Sequence, residues 1–199
     1  MTDDPNLMPS RGEGRDAMGN PFEVLDSRDV YANPWIAVRE DRVRRPDGTD
    51  GIYGVVTFRS QALGAVVLFS DRTTMLVGQY RYPLGRWLWE IPAGGGSFER
   101  DPTDEMAREL KEETGLVARR WTPLGGLHHS TSVTDERAML WLARDLETGA
   151  AEPEATEVLG TWRLPFAEAV AMAEDGRLTD AMTVAALLRA DRLLAQELT

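Results

Sequence analysis

Three glutamates in residues 108–116 constrain this chain more than any other feature of its sequence. The segment reads Arg-Glu-Leu-Lys-Glu-Glu-Thr-Gly-Leu and places Glu109, Glu112 and Glu113 at helical spacings of i, i+3 and i+4. On one side of a helix these carboxylates repel one another unless a cation neutralises them. Mg²⁺ suits such a cluster, because it prefers oxygen ligands and keeps open positions for phosphate oxygens. Gly115 stands where a glycine commonly ends a helix.

The wider spacing around this segment resembles the signature of the Nudix hydrolases. That signature is Gly, five residues, Glu, seven residues, Arg-Glu, an apolar residue, any residue, Glu-Glu, any residue, Gly and an apolar residue. The signature's first glutamate would be residue 100, which is Arg here, with Glu99 beside it. The alternative is a surface helix with solvated acids, but so many matches at fixed spacing are a specific signal. Eight positions fall in register: Gly94, Arg108, Glu109, Leu110, Glu112, Glu113, Gly115 and Leu116.

The resemblance implies hydrolysis of a diphosphate bond at a site for Mg²⁺, which Mn²⁺ could replace. It implies that Glu109, Glu112 and Glu113 bind the metal together with the backbone carbonyl of Ala93. Glu112 and Glu113 are also the first candidates for catalysis, since a metal site neutralises phosphate oxygens and acidifies a bound water. Glu105 lies one turn before Glu109 and could face the same side, but we expect it to be a solvated helix residue.

Two further roles near the signature remain open at this stage. Arg108 could contact phosphate or hold the acidic cluster in place, and we favour the second, because a guanidinium can bond two carboxylates at once. By resemblance to ADP-ribose pyrophosphatases, the general base comes from an acidic loop after the signature, here residues 152–157. We expect Glu154 or Glu157 to be that base, against the alternative of a plainly solvated loop.

Three other motifs resemble those of the ADP-ribose and nucleotide-sugar pyrophosphatases. Gln79-Tyr80-Arg81-Tyr82-Pro83 implies that Arg81 meets the diphosphate or the distal sugar. Trp89-Glu90-Ile91-Pro92-Ala93-Gly94 implies that Glu90 accepts hydrogen bonds from base or ribose, with a structural role as the alternative. Thr134-Asp135-Glu136 implies that Glu136 lies near the site. The subfamily usually carries Ser-Pro-Gly before this last motif, and its absence here leaves room for nucleotide sugars such as GDP-mannose.

Aromatic and histidine residues offer weaker candidates. Trp35 and Tyr31 could stack on a nucleobase, although packing in a core or an interface is the commoner fate of such side chains. Trp35 is included among the predicted substrate-binding residues. His128 and His129 are adjacent, so on a strand they would point to opposite faces; we expect at most one of them to touch substrate and favour neither doing so.

The order of predicted elements indicates an α/β (α+β) fold, and the resemblance implies the Nudix α/β/α sandwich with a mixed sheet. We predict a flexible tail over residues 1–20, a β-rich arm over 21–60 and the hydrolase domain over 61–199. By resemblance, the arm packs against or swaps with a second subunit; the alternative is that it forms the first strands of the main sheet. Asp101-Pro102 predicts the start of the signature helix, which should run to Thr114.

Charge and cysteine content narrow the class of protein further. The chain carries 33 acidic and 22 basic residues, a net charge of −11, which argues against binding to a nucleic-acid backbone. It has no cysteine, which excludes disulfides and favours a reducing compartment, so we expect a cytoplasmic protein. No apolar run approaches the roughly 20 residues that span a bilayer, and the N-terminus lacks a signal-peptide pattern. We therefore expect no membrane partner, and the resemblance of the N-terminal arm implies a homodimer.

The sequence thus predicts a Mg²⁺-dependent enzyme that splits ADP-ribose or a related nucleoside diphosphate sugar into a nucleoside monophosphate and a sugar phosphate. One alternative is that GDP-mannose or another nucleotide sugar is the main substrate. Another, from a different class, is a sensor that binds nucleotides without hydrolysing them. Arg100 favours the sensor weakly, whereas the three intact helix glutamates favour the enzyme.

Overall fold

A computed structural model describes residues 19–149 and 158–198 of the chain. The strands in these ranges are β1 (Glu23–Ala32), β2 (Ile36–Arg44), β3 (Asp50–Phe58), β4 (Gln61–Val67), β5 (Thr73–Arg81), β6 (Arg86–Glu90), β7 (Ala93–Gly96), β8 (Leu116–His128), β9 (Arg137–Thr148) and β10 (Gly160–Pro165). The helices are α1 (Pro102–Thr114), α2 (Phe166–Glu174) and α3 (Ala181–Glu197).

A four-stranded mixed sheet in the order β7-β4-β9-β8 forms the centre of the fold. β4 runs parallel to β9, and the other two pairings are antiparallel. Alternate residues of β4 face opposite sides of the sheet, as the strand period requires. Leu63 packs with Met106 of α1, whereas Val66 belongs to the core formed with Leu187 of α3. Helices therefore cover both faces, which confirms the predicted sandwich.

The signature helix begins and ends where its own sequence predicts. The side chain of Asp101 accepts hydrogen bonds from the N–H groups of Thr103 (2.8 Å) and Asp104 (3.2 Å), and Pro102 occupies the first turn. Gly115 has a φ of 70°, the left-handed conformation that favours glycine, and its N–H donates to the carbonyl of Lys111. The predicted helix boundaries are confirmed within one residue.

A second sheet carries two of the predicted substrate-binding residues, Arg81 and Glu90. It is antiparallel in the order β10-β5-β6, and the end of β6 leads through residues 91–92 directly into β7. Glu90 ends β6 just before β7, and the side chain of Arg81, at the end of β5, reaches the Glu90 carboxylate. The chain path therefore brings two motifs of the sequence to one edge of the central sheet.

The first three strands form an antiparallel sheet of their own in the order β1-β2-β3. They do not begin the main sheet, so that alternative is wrong. The small sheet meets the rest of the chain through a bridge between Val56 and Thr134 and through a 3.1 Å hydrogen bond from the Phe58 N–H to Asp135. The domain boundaries near residues 20 and 60 stay predictions. In the described ranges, no helix combines the length and the apolar composition needed to cross a membrane.

Candidate active site

Two of the three signature glutamates, Glu109 and Glu113, lie on the side of α1 that faces β7. Glu113 is buried, and its Oε2 accepts a 3.0 Å hydrogen bond from the N–H of Ala93. Glu109 lies directly against Gly94, where an added Cβ would overlap its carboxylate group. Position 94 therefore favours glycine, because a larger residue would displace the Glu109 side chain from its contact with β7.

Arg108 holds the other side of this cluster. Its Nη2 lies 2.6 Å from Oε1 of Glu109, and its Nη1 lies 2.6 Å from Oε2 of Glu112. Both contacts are within the range of charge-assisted hydrogen bonds. This geometry is that of a supporting ion pair, the role that we favoured for Arg108.

Glu105 differs from our expectation of a solvated residue, which is wrong. Its side chain is buried, and its Oε1 lies 3.1 Å from Nη1 of Arg100 in the loop before α1. The hydrogen bond from Arg100 lowers the pKa of Glu105 below its ordinary value, against the opposing effect of burial. Glu105 thus lies on the same side of α1 as Glu109 and packs against β7, where an added Cβ at Gly96 would lie 3.4 Å from the Cβ of Glu105.

The donor set on this helix face fits a hard divalent cation, since it consists of carboxylates grouped around a glycine that admits them closely. Within residues 19–149 and 158–198, however, no three Asp, Glu or His side chains are already arranged as a metal-binding group. Arg108 bonds Glu109 and Glu112, and Ala93 bonds Glu113. A cation at this face would therefore replace contacts that the side chains now make with the protein.

A pocket of about 720 Å³ opens beside β7. This volume is in the range of small-molecule sites. The predicted substrate-binding residues all line it, together with the predicted metal-binding Ala93 and the signature glycine. The set is Trp35, Arg81, Glu90, Ala93, Gly94 and Glu136. Residues that are far apart in sequence thus meet in one concave surface, although their individual roles stay predictions.

Arg81 and Glu90 form an ion pair at the wall of this pocket. The Nε of Arg81 lies 2.9 Å from Oε1 of Glu90, and the Nη2 bonds the second oxygen. Glu90 is buried, whereas 40% of the Arg81 side chain is exposed. The hydrogen bond to Glu90 raises the pKa of Arg81 above its ordinary value. The arrangement agrees with a structural role for Glu90, which directs the guanidinium towards the pocket.

His129 lines the pocket beside Glu136, and its Nδ1 lies 2.9 Å from Oε2 of that residue. The two atoms lie within ion-pair distance, but their geometry is not that of a hydrogen bond. His129 follows the end of β8 and Glu136 precedes the start of β9, and the two come together because those strands pair antiparallel. His129 thus lines the pocket, and contact of either histidine with substrate stays a prediction.

Comparison with known proteins places this architecture in a family. Residues 59–187 match the model described as the NUDIX domain. The chain belongs to the Nudix hydrolase family. Residues 22–56, which span the N-terminal sheet, match a second model described as the nucleoside diphosphate sugar hydrolase N-terminal domain.

Individual relatives agree with this assignment. The chain is similar to an ADP-ribose pyrophosphatase from Mycobacterium tuberculosis, 34% identical over 173 residues that cover 84% of this chain and 82% of the relative. It is also similar to a GDP-mannose pyrophosphatase from Pectobacterium atrosepticum, 32% identical over 191 residues that cover 87% and 95%. The crystal structure of an ADP compounds hydrolase has the same fold, with a TM-score of 0.80 at 22% identity, covering 88% of this chain and 95% of that one. This Nudix hydrolase is therefore an enzyme of the pyrophosphohydrolase class.

Some residues of this Nudix hydrolase escape prediction from the sequence, and others lie beyond the described ranges. Thr179 and Asp180, which precede α3, also line the pocket, and no motif marks them. Asp180 accepts a 2.7 Å hydrogen bond from the N–H of Thr183 and so caps that helix. The sequence can reveal such a helix cap, but it does not indicate that the cap also lines the pocket. Glu154 and Glu157, the predicted general bases, fall outside the described residues.

Proposed function

We propose that this Nudix hydrolase cleaves the diphosphate bond of ADP-ribose or a related nucleoside diphosphate sugar in the presence of Mg²⁺. The products are a nucleoside monophosphate and a sugar phosphate. One observation carries the proposal: a single pocket is lined by the signature glycine Gly94, by Arg81, whose guanidinium is paired with Glu90, and by the exposed aromatic ring of Trp35. A nucleotide sugar carries a nucleobase and a diphosphate; Trp35 is suited to stack on the base, and Arg81 is suited to bind the diphosphate.

The proposed binding roles follow from charge and exposure. Arg81 is charged throughout the physiological pH range and is held by Glu90, so it binds the diphosphate without first having to be ordered. Trp35 is 71% exposed at the rim of the pocket, where its face is free to stack on a nucleobase. Glu136 and the neighbouring His129 ring provide polar contacts for sugar hydroxyls or phosphate oxygens.

The proposed metal ligands are Glu109, Glu112, Glu113 and the carbonyl of Ala93, with Mn²⁺ able to replace Mg²⁺. When bound, the cation supplies neutralisation of phosphate oxygens and a more acidic bound water. Glu112 and Glu113 would then orient the reacting groups. The proton of the attacking water would pass to Glu154 or Glu157.

GDP-mannose is the second candidate for the main substrate. Its support is the 32% identity with a GDP-mannose pyrophosphatase over 95% of that relative, and the lack of Ser-Pro-Gly before Thr134. The pocket volume admits either substrate class, because both are nucleoside diphosphates joined to one sugar.

We also propose that the enzyme is a cytoplasmic homodimer in which the N-terminal sheet packs against the second copy. Ile52 and Tyr53 are adjacent on β3 and so point to opposite faces, yet both are exposed. Val30 and Tyr31 of β1 are exposed as well. Apolar side chains on both faces of a three-stranded sheet are typical of a surface that a partner covers. Light scattering should give twice the chain mass of 22.1 kDa, and a monomer would contradict the proposal.

The activity is tested by incubating the purified chain with Mg²⁺ and ADP-ribose, GDP-mannose, ADP-glucose, NADH or 8-oxo-dGTP, and following the release of monophosphate. We expect turnover of ADP-ribose or a nucleotide sugar that EDTA abolishes, and the rates then rank the candidate substrates. Nucleotide binding without turnover of any compound would instead identify a sensor and reject hydrolysis.

A further inference from the structure

The chain departs from the Nudix signature at position 100, where it has Arg in place of Glu. Arg100 lies in the loop between β7 and α1, and its Nη1 contacts Oε1 of Glu105 at 3.1 Å. The Glu105 side chain is only 9% exposed. Arg100 thus stands where the signature has a carboxylate, and it pairs with Glu105, a buried carboxylate that the signature does not specify.

Glu105 also contacts a second guanidinium. Its Oε2 lies 3.5 Å from Nη2 of Arg108, the same nitrogen that lies 2.6 Å from Glu109. The Nη1 of Arg108 in turn lies 2.6 Å from Glu112. Alternating charges therefore run without a break from Arg100 to the two predicted metal ligands.

We propose that Glu105 supplies the carboxylate that the signature places at residue 100, and that Arg100 is its countercharge. Glu105 is then a positioning residue, which acts on the metal site through Arg108. This inference rests on the proposed function, because it takes Glu109 and Glu112 to be metal ligands.

The physical effect is a competition for two carboxylates. Arg108 and a divalent cation both bind Glu109 and Glu112, so the strength of the Arg108 contacts limits the affinity for the cation. Glu105 offers Arg108 another acceptor and neutralises part of its charge. Without Glu105, Arg108 pairs more strongly with Glu109 and Glu112, and the affinity of the site for a cation falls.

The test measures Mn²⁺ binding to the full chain by electron paramagnetic resonance, beside thermal stability and steady-state kinetics. We expect Glu105→Gln to raise the Kd for Mn²⁺ about tenfold, the usual size for loss of a group that orients a metal ligand. Its kcat should fall while the KM for the nucleotide substrate is unchanged. Asp104→Asn removes an exposed acid one residue earlier and should leave the Kd at the wild-type value, which controls for the change in net charge.

A second substitution makes the assignment specific. Arg100→Glu alone sets two carboxylates side by side and should lower the melting temperature. Combined with Glu105→Gln, the new carboxylate at position 100 takes over the contact with Arg108. The double variant should then bind Mn²⁺ more tightly than Glu105→Gln and melt at a higher temperature than Arg100→Glu.

Two results would overturn this inference alone. One is a wild-type Kd for Mn²⁺ in Glu105→Gln. The other is a double variant whose losses of Mn²⁺ affinity and of thermal stability equal the sums of the losses in the two single variants. Failure of the wild-type chain to bind Mn²⁺ would overturn the proposed function, and this inference with it. The two failures are therefore distinct.

Discussion

The guanidinium of Arg81 on β5 is bound by both carboxylate oxygens of Glu90 on the neighbouring strand β6, with an Nε–Oε1 distance of 2.9 Å. Glu90 is buried, and Arg81 extends from it towards the pocket. Glu90, which substrate need not touch, thus sets the direction in which the Arg81 guanidinium points.

Glu90→Gln should raise the KM for ADP-ribose about tenfold with a smaller change in kcat, because Arg81 loses its charged anchor and must be ordered on binding. Arg81→Lys should have a similar effect, since an ammonium cannot reproduce the two-pronged contact. Steady-state kinetics measures both. Arg119→Lys, at an exposed position of β8, is the control, and a fall in kcat at constant KM would contradict this role.

Glu113→Gln should reduce turnover by several orders of magnitude if Glu113 is a metal ligand, while nucleotide binding persists. The rate of monophosphate release and the Kd for a nucleotide measure the two effects separately. Glu99→Gln is the matched control, since Glu99 is an exposed acid beside the signature position and should tolerate the change. Retained activity in Glu113→Gln would reject the metal assignment.

Gly94→Ala should lower both stability and activity. The added Cβ overlaps the Glu109 carboxylate, so that side chain has to leave its present rotamer, at a cost of about 0.5–1.5 kcal/mol of unfolding free energy. Urea denaturation measures the loss. Gly95→Ala provides the control for stability, because its Cβ would meet only Ser60 Oγ at 3.4 Å, an ordinary contact. Equal unfolding free energies for the two variants would show that the placement of the Glu109 side chain does not depend on a glycine at residue 94.

The contribution of Glu105 to stability should depend on pH in a defined direction. The hydrogen bond from Arg100 lowers the folded-state pKa of Glu105 below its ordinary value of 4.5. A group with a lowered pKa stabilises the fold above its unfolded pKa and loses that effect as the pH falls through the folded value. The difference in unfolding free energy between wild type and Glu105→Gln should be constant from pH 7 to about 5 and shrink below 4.5. A difference that grows in acid would contradict the ion pair.

Trp35→Leu should raise the KM for ADP-ribose, because the stacking of one base on an aromatic ring is worth about 1–3 kcal/mol. The loss of stability should be small, since Trp35 is mostly exposed. Trp87→Leu removes another exposed tryptophan, from β6, that does not line this pocket, and should leave the KM unchanged. An unchanged KM in Trp35→Leu would remove Trp35 from the site.

Much of the fold and the frame of the site could be predicted because their signals are local. The N-cap at Asp101 and the left-handed Gly115 lie within a residue of the helix that they bound, so α1 could be placed from sequence alone. The hairpin around Asp47-Gly48 and the buried strands β4 and β9 follow from short patterns in the same way. Helical spacing placed Glu105 on the side of Glu109, but its burial depends on the packing of β7 and on the ion pair with Arg100, which no local pattern shows.

The sequence by itself determined the signature helix, its three grouped glutamates and the glycine opposite them, and through their spacing the family. Only the tertiary structure decided which polar side chains meet: Arg81 with Glu90, Arg100 with Glu105, and His129 with Glu136. These partners are brought together by strand pairing and by the paths of loops. An ion pair forms where two side chains reach each other in space, and that distance is a property of the packed chain rather than of any short segment.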